Sequence, residues 1–541
     1  MATKNIFKAL TLLLFCIAVF ISILPYLHGK SLTTPGYTYL GTVHYPVDYF
    51  YYVSQIAQGD RNVFLVDYIW GSETIAPTLV GWLYTSFGAI THRLNITPIL
   101  SYQIYLGIST ALYVISTYIL LRIVFPKSHA KPFVGLFFSL FSCEIPKIIH
   151  DASGWRIFYE KIWFNYGEPF VRWDPVPHHI IVLSAVIMLF VLVFLYWKIE
   201  STWRYGSLLA TIIPVFILAT AHPIQLLLVI ATLGVSFLLQ EVPAIVHSKK
   251  IQFIKLISHW APLIMICAVA APILILMNQM LNIPPYNMSK PFEAGGNEWT
   301  HITIVQFFQF YGVVAIIGIL SIPVFLKKKN PLRSFLIIYL IFSFGLYFSP
   351  IPEKIMVLNL RFLSAITILA LAASATEGLF AFIPLHKRFG PIITTVLVLG
   401  VGVILALPFK QELDWKIFAD TNNNAFYYIP TTWYDAAIQA RNLTKPDEVI
   451  LGFWPFDKLL PPLTGKKVFS VHELETIDYD KKNVIMDNLV NNRVTADQML
   501  EIFKIYKIKT VLLDNASPMN KPPYLVPAYK NQHITVYRVS F

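Results

Sequence analysis

Runs of about twenty apolar residues recur along most of this chain, and about that many are needed for a helix to cross the roughly 30 Å of hydrocarbon in a bilayer. They fall at 7–27, 99–125, 133–149, 180–197, 207–221, 224–240, 260–281, 302–326, 334–348, 362–383 and 390–408. A backbone surrounded by lipid has no water to bond with, so each run must close its own hydrogen bonds as a helix. Of the 541 residues, 56% are hydrophobic and 13% are charged, where an ordinary globular domain carries about a quarter charged. The pattern predicts an α-helical polytopic membrane protein with about eleven transmembrane helices. The first run ends in Pro25-Tyr26-Leu27-His28 without a small-residue cleavage pattern and reads as a retained span rather than a signal peptide.

The net charge of +12 follows the membrane pattern. With the amino terminus cytoplasmic, the inner segments hold fifteen basic residues, among them Lys127, Lys131, Lys328 and Arg333, against only Glu200 and Glu241. The basic excess is thus the positive-inside bias, and nucleic acid is not an expected partner. The polar segments fall on the other face: 28–98, 150–179, 282–301, 349–361 and the tail. Within the first of these, Thr74 to Leu94 is apolar but broken by Pro77, Gly81 and Gly88, and reads as an interfacial or re-entrant helix. The expected division is a membrane domain over 1–408 and an extracytoplasmic α/β domain over 409–541. Strand-like runs in the latter lie at Val449–Leu451, Val468–Val471, Thr510–Leu513 and Ile534–Val539, with helical spacing from Ala496 to Tyr506. Cys16, Cys143 and Cys267 sit in separate apolar runs and suggest no disulfide or zinc site. Neither a phosphate-binding G-x-x-x-x-G-K-[ST] loop nor a G-x-G-x-x-G fingerprint occurs, so nucleotide-driven transport has no support.

Candidate chemistry concentrates in the outer segments. His44-Tyr45-Pro46-Val47-Asp48-Tyr49-Phe50-Tyr51-Tyr52 sets a carboxylate among tyrosines near the membrane surface. Partial desolvation there raises basicity and suits Asp48 to take a proton from a hydroxyl, with His44, Tyr49 and Tyr52 lining the same pocket. Tyrosines also gather at membrane interfaces for purely anchoring reasons. The second outer loop holds Asp151 and Arg172-Trp173-Asp174-Pro175-Val176-Pro177-His178-His179, which runs into a span. Its charges mark a site or a solvated loop end, and an Arg suits phosphate through its fork of donors. His222-Pro223 breaks the chain between two runs, Glu293 and Glu298 flank a Gly-Gly pair, and Arg361 opens a late apolar run. An Arg so placed either meets an anion or snorkels to lipid headgroups.

An Asp in the first outer loop shortly after a first span, an amphipathic stretch later in that loop, about eleven spans and an outer α/β tail together resemble the GT-C superfamily of polyprenyl-phosphate-dependent glycosyltransferases. Protein O-mannosyltransferases and lipid A aminoarabinose transferases belong to it. The tail runs Ile450-Leu451-Gly452, Pro461 to Val468 with His472, Thr476 and Lys481, and Ile508 to Asp514, look like the tails of bacterial proteins of this kind. The resemblance implies transfer of a sugar from a polyprenyl-phosphate-linked donor to a hydroxyl of a glycan, lipid or protein acceptor. Asp48 then stands in the place of the catalytic base, and Arg361, with Arg172, meets the donor phosphate. His44, Tyr49, Tyr52, Asp151, Asp174, His178 and His222 are candidates for the donor or acceptor pocket. The implied location is a bacterial inner membrane, with the tail extracytoplasmic. No cofactor is assigned, a divalent metal being expected only for a pyrophosphate donor. The chain has Asp48-Tyr49 where the mannosyltransferases carry Asp-Glu, and it lacks a tail W-W-D-Y-G. A transporter or flippase, a polysaccharide polymerase or ligase, and a non-catalytic scaffold stay open as alternatives. The nearly charge-free span centres, Glu144 and Glu377 excepted, disfavour a transporter.

Overall fold

A computed structural model of the chain describes residues 2–42, 46–145, 147–151, 154–158, 176–248, 253–382, 400, 402, 410 and 426–540. Among these, seven helices are long and apolar enough to span a bilayer: Asn5–Ser31, Pro98–Val124, Pro177–Lys198, Trp203–Ala221, Pro223–Glu241, Leu256–Met280 and Ile304–Leu326. Three shorter apolar helices, Ala130–Phe141, Pro331–Tyr347 and Ala365–Ala381, accompany them. The chain is an integral multi-pass membrane protein. The run at 390–408 lies almost entirely outside the described residues.

One run behaves differently from its hydropathy. The expected span 133–149 is helical only to Phe141, after which Ser142 turns extended and Lys147–Asp151 pairs as a strand with Gly154–Phe158. Pro146 disfavours helical backbone at the residue before it, and the chain there finds partners elsewhere. Ile145 N–H donates to the Gln309 carbonyl at 2.8 Å. The helix Ile304–Leu326 is itself broken at Gly312, whose φ of 72° favours glycine. A Cβ at Gly312 would lie 1.9 Å from the Cys143 carbonyl oxygen, so only glycine admits this approach.

The chain divides into two compact units. The first comprises Met1–Ser22, Gly107–Met277 and Lys290–Trp415. At its centre Ala365–Phe382 packs against Ile304–Leu326, with Ser374 Oγ donating to the Gly318 carbonyl at 2.7 Å. Buried Ala370, Ala372, Ala373 and Ala375 let the helices approach closely. Glu377, one of the two acidic residues in the apolar runs, is buried among cations. It meets Arg333 at 2.9 Å, Lys131 at 3.0 Å and Lys328 at 2.9 Å. Arg333 is itself buried and donates to the carbonyls of Phe325 and Val124. The carboxylate therefore joins four segments rather than marking an ion pathway.

The second unit comprises Ile23–Leu106, Asn278–Ser289 and Lys416–Phe541. It holds a five-stranded sheet in the order Lys467–Val468, Val449–Leu451, Ile508–Asp514, Ile534–Val539, Leu525–Lys530. The first three strands run parallel and the last two pairings are antiparallel. Phe503 and Met499 of Ala496–Ile505 pack with Val449, Leu451, Phe469 and Val511 in its core. Leu525–Lys530 was not legible as a strand because Pro527 interrupts it, and it lies at the sheet edge, where a missing N–H is tolerated. Tyr37–Tyr39 pairs antiparallel with Tyr428–Pro430, which ties the first outer segment to the tail. The stretch 74–94 contains one 12-residue helix, Trp82–Arg93, about 18 Å long and too short to span.

Replacing Glu377 with Ala leaves Arg333 buried without its anion, a class of change that costs about 3–5 kcal/mol. The Glu377→Ala protein is expected to melt well below wild type in detergent, and equal melting temperatures would refute the structural role.

Candidate functional site

Two groups of polar side chains stand out, one in each unit. In the second unit the helix Pro46–Ala57 carries Asp48 in its first turn, where the helix dipole favours an anion. Helical spacing splits its aromatics between two faces. Tyr49, Phe50 and Val53 are buried, Tyr49 donating to the Leu40 carbonyl at 2.8 Å and meeting Tyr102 edge-on at 4.8 Å. Tyr51 and Tyr52 follow Asp48 by three and four residues and so share its side of the helix. Tyr52 stacks on Tyr84 at 4.8 Å, and Tyr51 tilts against Trp70 at 5.6 Å. Trp70 Nε1 donates to Ser54 Oγ at 2.9 Å.

Asp48 is exposed. The desolvated carboxyl in this cluster is another residue, Glu475, which the sequence did not single out. Burial pushes the Glu475 carboxyl up to about 8, and Asp48 beside it acts in the same direction. Its loop is fixed against the segment after the Asp48 helix. The Tyr68 hydroxyl donates to the Glu475 carbonyl at 2.8 Å and accepts from Ile477 N–H at 3.2 Å. Thr476 Oγ1 donates to the Trp70 carbonyl at 2.6 Å and accepts from the N–H groups of Val471 and His472. Gly71 makes a bridge with Ser470. A Cβ at Gly71 would fall 2.3 Å from the Tyr68 hydroxyl oxygen, so any larger residue there would displace the Tyr68 side chain. Tyr286 Oη lies 2.9 Å from Thr78 Oγ1 and within electrostatic reach of Tyr51, Tyr68 and Glu475. Burial raises the phenols of Tyr51, Tyr68 and Tyr286, which keeps them neutral.

In the first unit the structure gathers residues from four segments. Val176 is extended and Pro177 opens a helix, which places His178 and His179 in its first turn. His222 terminates Ile212–Ala221 with extended backbone before Pro223. Ring centroids lie 4.3 Å apart for His178 and His179 and 6.4 Å apart for His179 and His222. All three histidines are within electrostatic reach of Arg361. Arg361 sits in the tight turn Asn359–Phe362, whose position is set by Gln225 Nε2 donating to the Arg361 carbonyl at 2.8 Å. Tyr339 joins Gln225 and Ser364 beneath it. The guanidinium donates to Glu293, at 2.6 Å from Nη2 and 3.3 Å from Nε. Glu293 belongs to the helix Lys290–Thr300, which Asn297 and Thr300 anchor to the backbone and side chain of Asn359.

Thus His178, His222 and Arg361 come together as a set, and His179 joins them. Asp48, Tyr49 and Tyr52 share one helix. Asp151 ends a strand opposite Gly154. His44, Arg172 and Asp174 lie outside the described residues. Among the described residues no group of three or more His, Cys, Asp or Glu is arranged to hold a metal ion.

No protein-family profile matches the chain, and no characterised protein matches it in sequence. Solved structures do match. The Archaeoglobus fulgidus oligosaccharyltransferase tethered to an acceptor peptide superposes with a TM-score of 0.52 at 13% identity, covering 93% of this chain and 69% of that one. The same organism's oligosaccharyltransferase AglB, in complex with an inhibitory peptide and a dolichol-phosphate, gives 0.51 at 13% identity over 94% and 69%. ArnT from Cupriavidus metallidurans bound to undecaprenyl phosphate covers 98% and 97% at 11% identity, with a TM-score of 0.43. The chain shares the fold of these oligosaccharyltransferase structures.

Tyr68→Phe removes both the donor to Glu475 and the acceptor of Ile477. Unmet buried backbone groups cost about 1–3 kcal/mol, so this variant is expected to melt below wild type in detergent, and an unchanged melting temperature would show that the loop is held by other contacts.

Proposed function

We propose that this protein transfers a sugar from a polyprenyl-phosphate-linked donor to an acceptor hydroxyl at the non-cytosolic face of a membrane. Asp48 acts as the general base and Arg361 steadies the donor phosphate. The observation that carries the reading is the Arg361 guanidinium set among His178, His179 and His222 next to apolar spans. A fork of donors in that position matches a phosphate carried on a lipid. The dolichol-phosphate and undecaprenyl phosphate bound by AglB and ArnT have the same chemistry.

In the proposed step the acceptor O–H gives its proton to the Asp48 carboxylate. The oxygen forms a bond to the anomeric carbon, and the bond from that carbon to phosphate oxygen breaks with inversion. The electron pair leaves on the lipid phosphate, where Arg361 stabilises the growing charge. Arg172 is proposed as a second phosphate ligand, and His44, Tyr49, Tyr52, Asp151, Asp174, His178 and His222 as pocket residues, on the strength of their sequence positions. The bacterial inner membrane and the extracytoplasmic tail belong to the same proposal. With a monophosphate donor these cationic and neutral donors suffice, whereas a pyrophosphate donor would call for a divalent cation.

The test is a transfer assay with a panel of polyprenyl-phosphate sugars. Asp48→Asn is expected to lower kcat by about a hundredfold or more, and Arg361→Gln to lower kcat/KM for the donor by about tenfold or more. Activity is expected to persist in EDTA. Full activity of Asp48→Asn removes the base assignment, and failure of the wild-type protein to use any such donor removes the reading as a whole.

A further inference from the structure

The carboxyl group of Glu475 is the feature of the second unit least explained by packing. It is partly buried, and among the described residues no cation or hydrogen-bond donor meets its oxygens. Other acids of the protein are provided for: Glu73 by Lys482 at 2.6 Å, Glu448 by Arg538 at 2.9 Å, Asp60 by Arg441 at 2.9 Å. A carboxylate withdrawn from water without such a partner is expensive, and the usual resolution is to keep the proton.

Glu475 is also not free to swing into solvent at the backbone, since its peptide groups are bonded to Tyr68 and His472 and the next residue to Trp70. Among the described residues, Asp48 and Tyr51 from the Asp48 helix, Tyr68 and Tyr286 lie within electrostatic reach of it, the Glu73–Lys482 pair lies by Tyr68, and the His472 carbonyl accepts from the Glu475 N–H. Burial lowers His472 below its ordinary range, with Lys458 acting in the same direction, so it supplies no positive charge at neutral pH. Lys482 is already committed to Glu73. Among the described residues the environment thus contains phenols, which are neutral, and one carboxylate, which repels a second.

We propose that Glu475 is a positioning residue for the transfer reaction above: it holds a proton beside Asp48, so that the pair carries a single negative charge and that charge resides on Asp48. The inference rests on the reading of Asp48 as base. Two carboxyls in one place, one solvated at a helix amino terminus and one desolvated, separate into a proton acceptor and a proton holder. With Glu475 ionised, two adjacent anions would repel each other and an anionic donor, so ionisation of Glu475 is expected to weaken turnover.

The test has a binding-independent arm and a catalytic arm. Between the ordinary carboxyl range and about 8, the native protein holds one proton more than the unfolded chain. Native stability therefore falls as pH rises through that window. Glu475→Gln mimics the protonated carboxyl and removes this dependence. The melting temperature of Glu475→Gln minus that of wild type, measured in detergent, is expected to be larger at pH 9 than at pH 6. An equal difference at both values overturns the proposal whether or not a donor has been found. In the transfer assay, kcat/KM of wild type is expected to fall above about pH 8 and that of Glu475→Gln to lack this fall. Glu475→Ala is expected to lose about tenfold at pH 7, with Glu475→Gln recovering at least part of it. Identical pH profiles for wild type and Glu475→Gln overturn the positioning role. Should Asp48→Asn prove fully active, the base assignment fails separately, and the melting comparison still reports whether Glu475 carries its proton.

Discussion

Taking a charge out of water is the dominant physical constraint on this protein, because most of its surface is made for lipid and few polar groups have solvent within reach. Three carboxyls meet the constraint in three ways. Glu377 is surrounded by Arg333, Lys131 and Lys328 and becomes a joint between helices. Glu293 takes the guanidinium of Arg361 in a bidentate pair. Glu475 has neither arrangement and is held toward its neutral form. The first is architectural, and the other two lie where chemistry is proposed.

The two polar groups are built from opposite materials. Around Arg361 a permanent cation faces imidazoles, the backbone is set by Gln225, Asn297 and Thr300, and the guanidinium is held in place by the Glu293 carboxylate. Around Glu475, among the described residues, no ion pair forms, and the neighbouring Asp48 helix contributes phenols that pack on Trp70 and Tyr84. Such a division suits a transfer reaction, in which one group must stabilise a departing anion while another keeps an accessible lone pair for a proton.

Much of the candidate chemistry was legible because it sits at chain positions with few physical alternatives. An Arg beginning an apolar helix, a histidine before a proline between two spans, and an acid near a helix amino terminus are each unusual in a membrane chain, and Arg361, His222 and Asp48 were found that way. Glu475 gave no such signal. In the string His472-Glu473-Leu474-Glu475 its two acids look alike, yet Glu473 is exposed and only Glu475 turns inward. Glu475 and Thr476 lie 407 and 406 positions along the chain from Tyr68 and Trp70, and that distance is closed by side-chain bonds that no local pattern announces.

The sequence by itself determined that the chain is a bundle of membrane helices with a mixed α/β tail, since hydropathy, charge bias and strand periodicity are local properties that each segment expresses alone. Tertiary structure decided where the helices stop and which acids keep their charge. The apolar run from 133 ends its helix at Phe141, where Cys143 then packs against the break at Gly312 and Ile145 bonds the Gln309 carbonyl, and the state of Glu475 depends on burial and on an aspartate brought from another part of the chain. Both outcomes are set by desolvation and backbone pairing across long sequence separations, which exist only once the fold has formed.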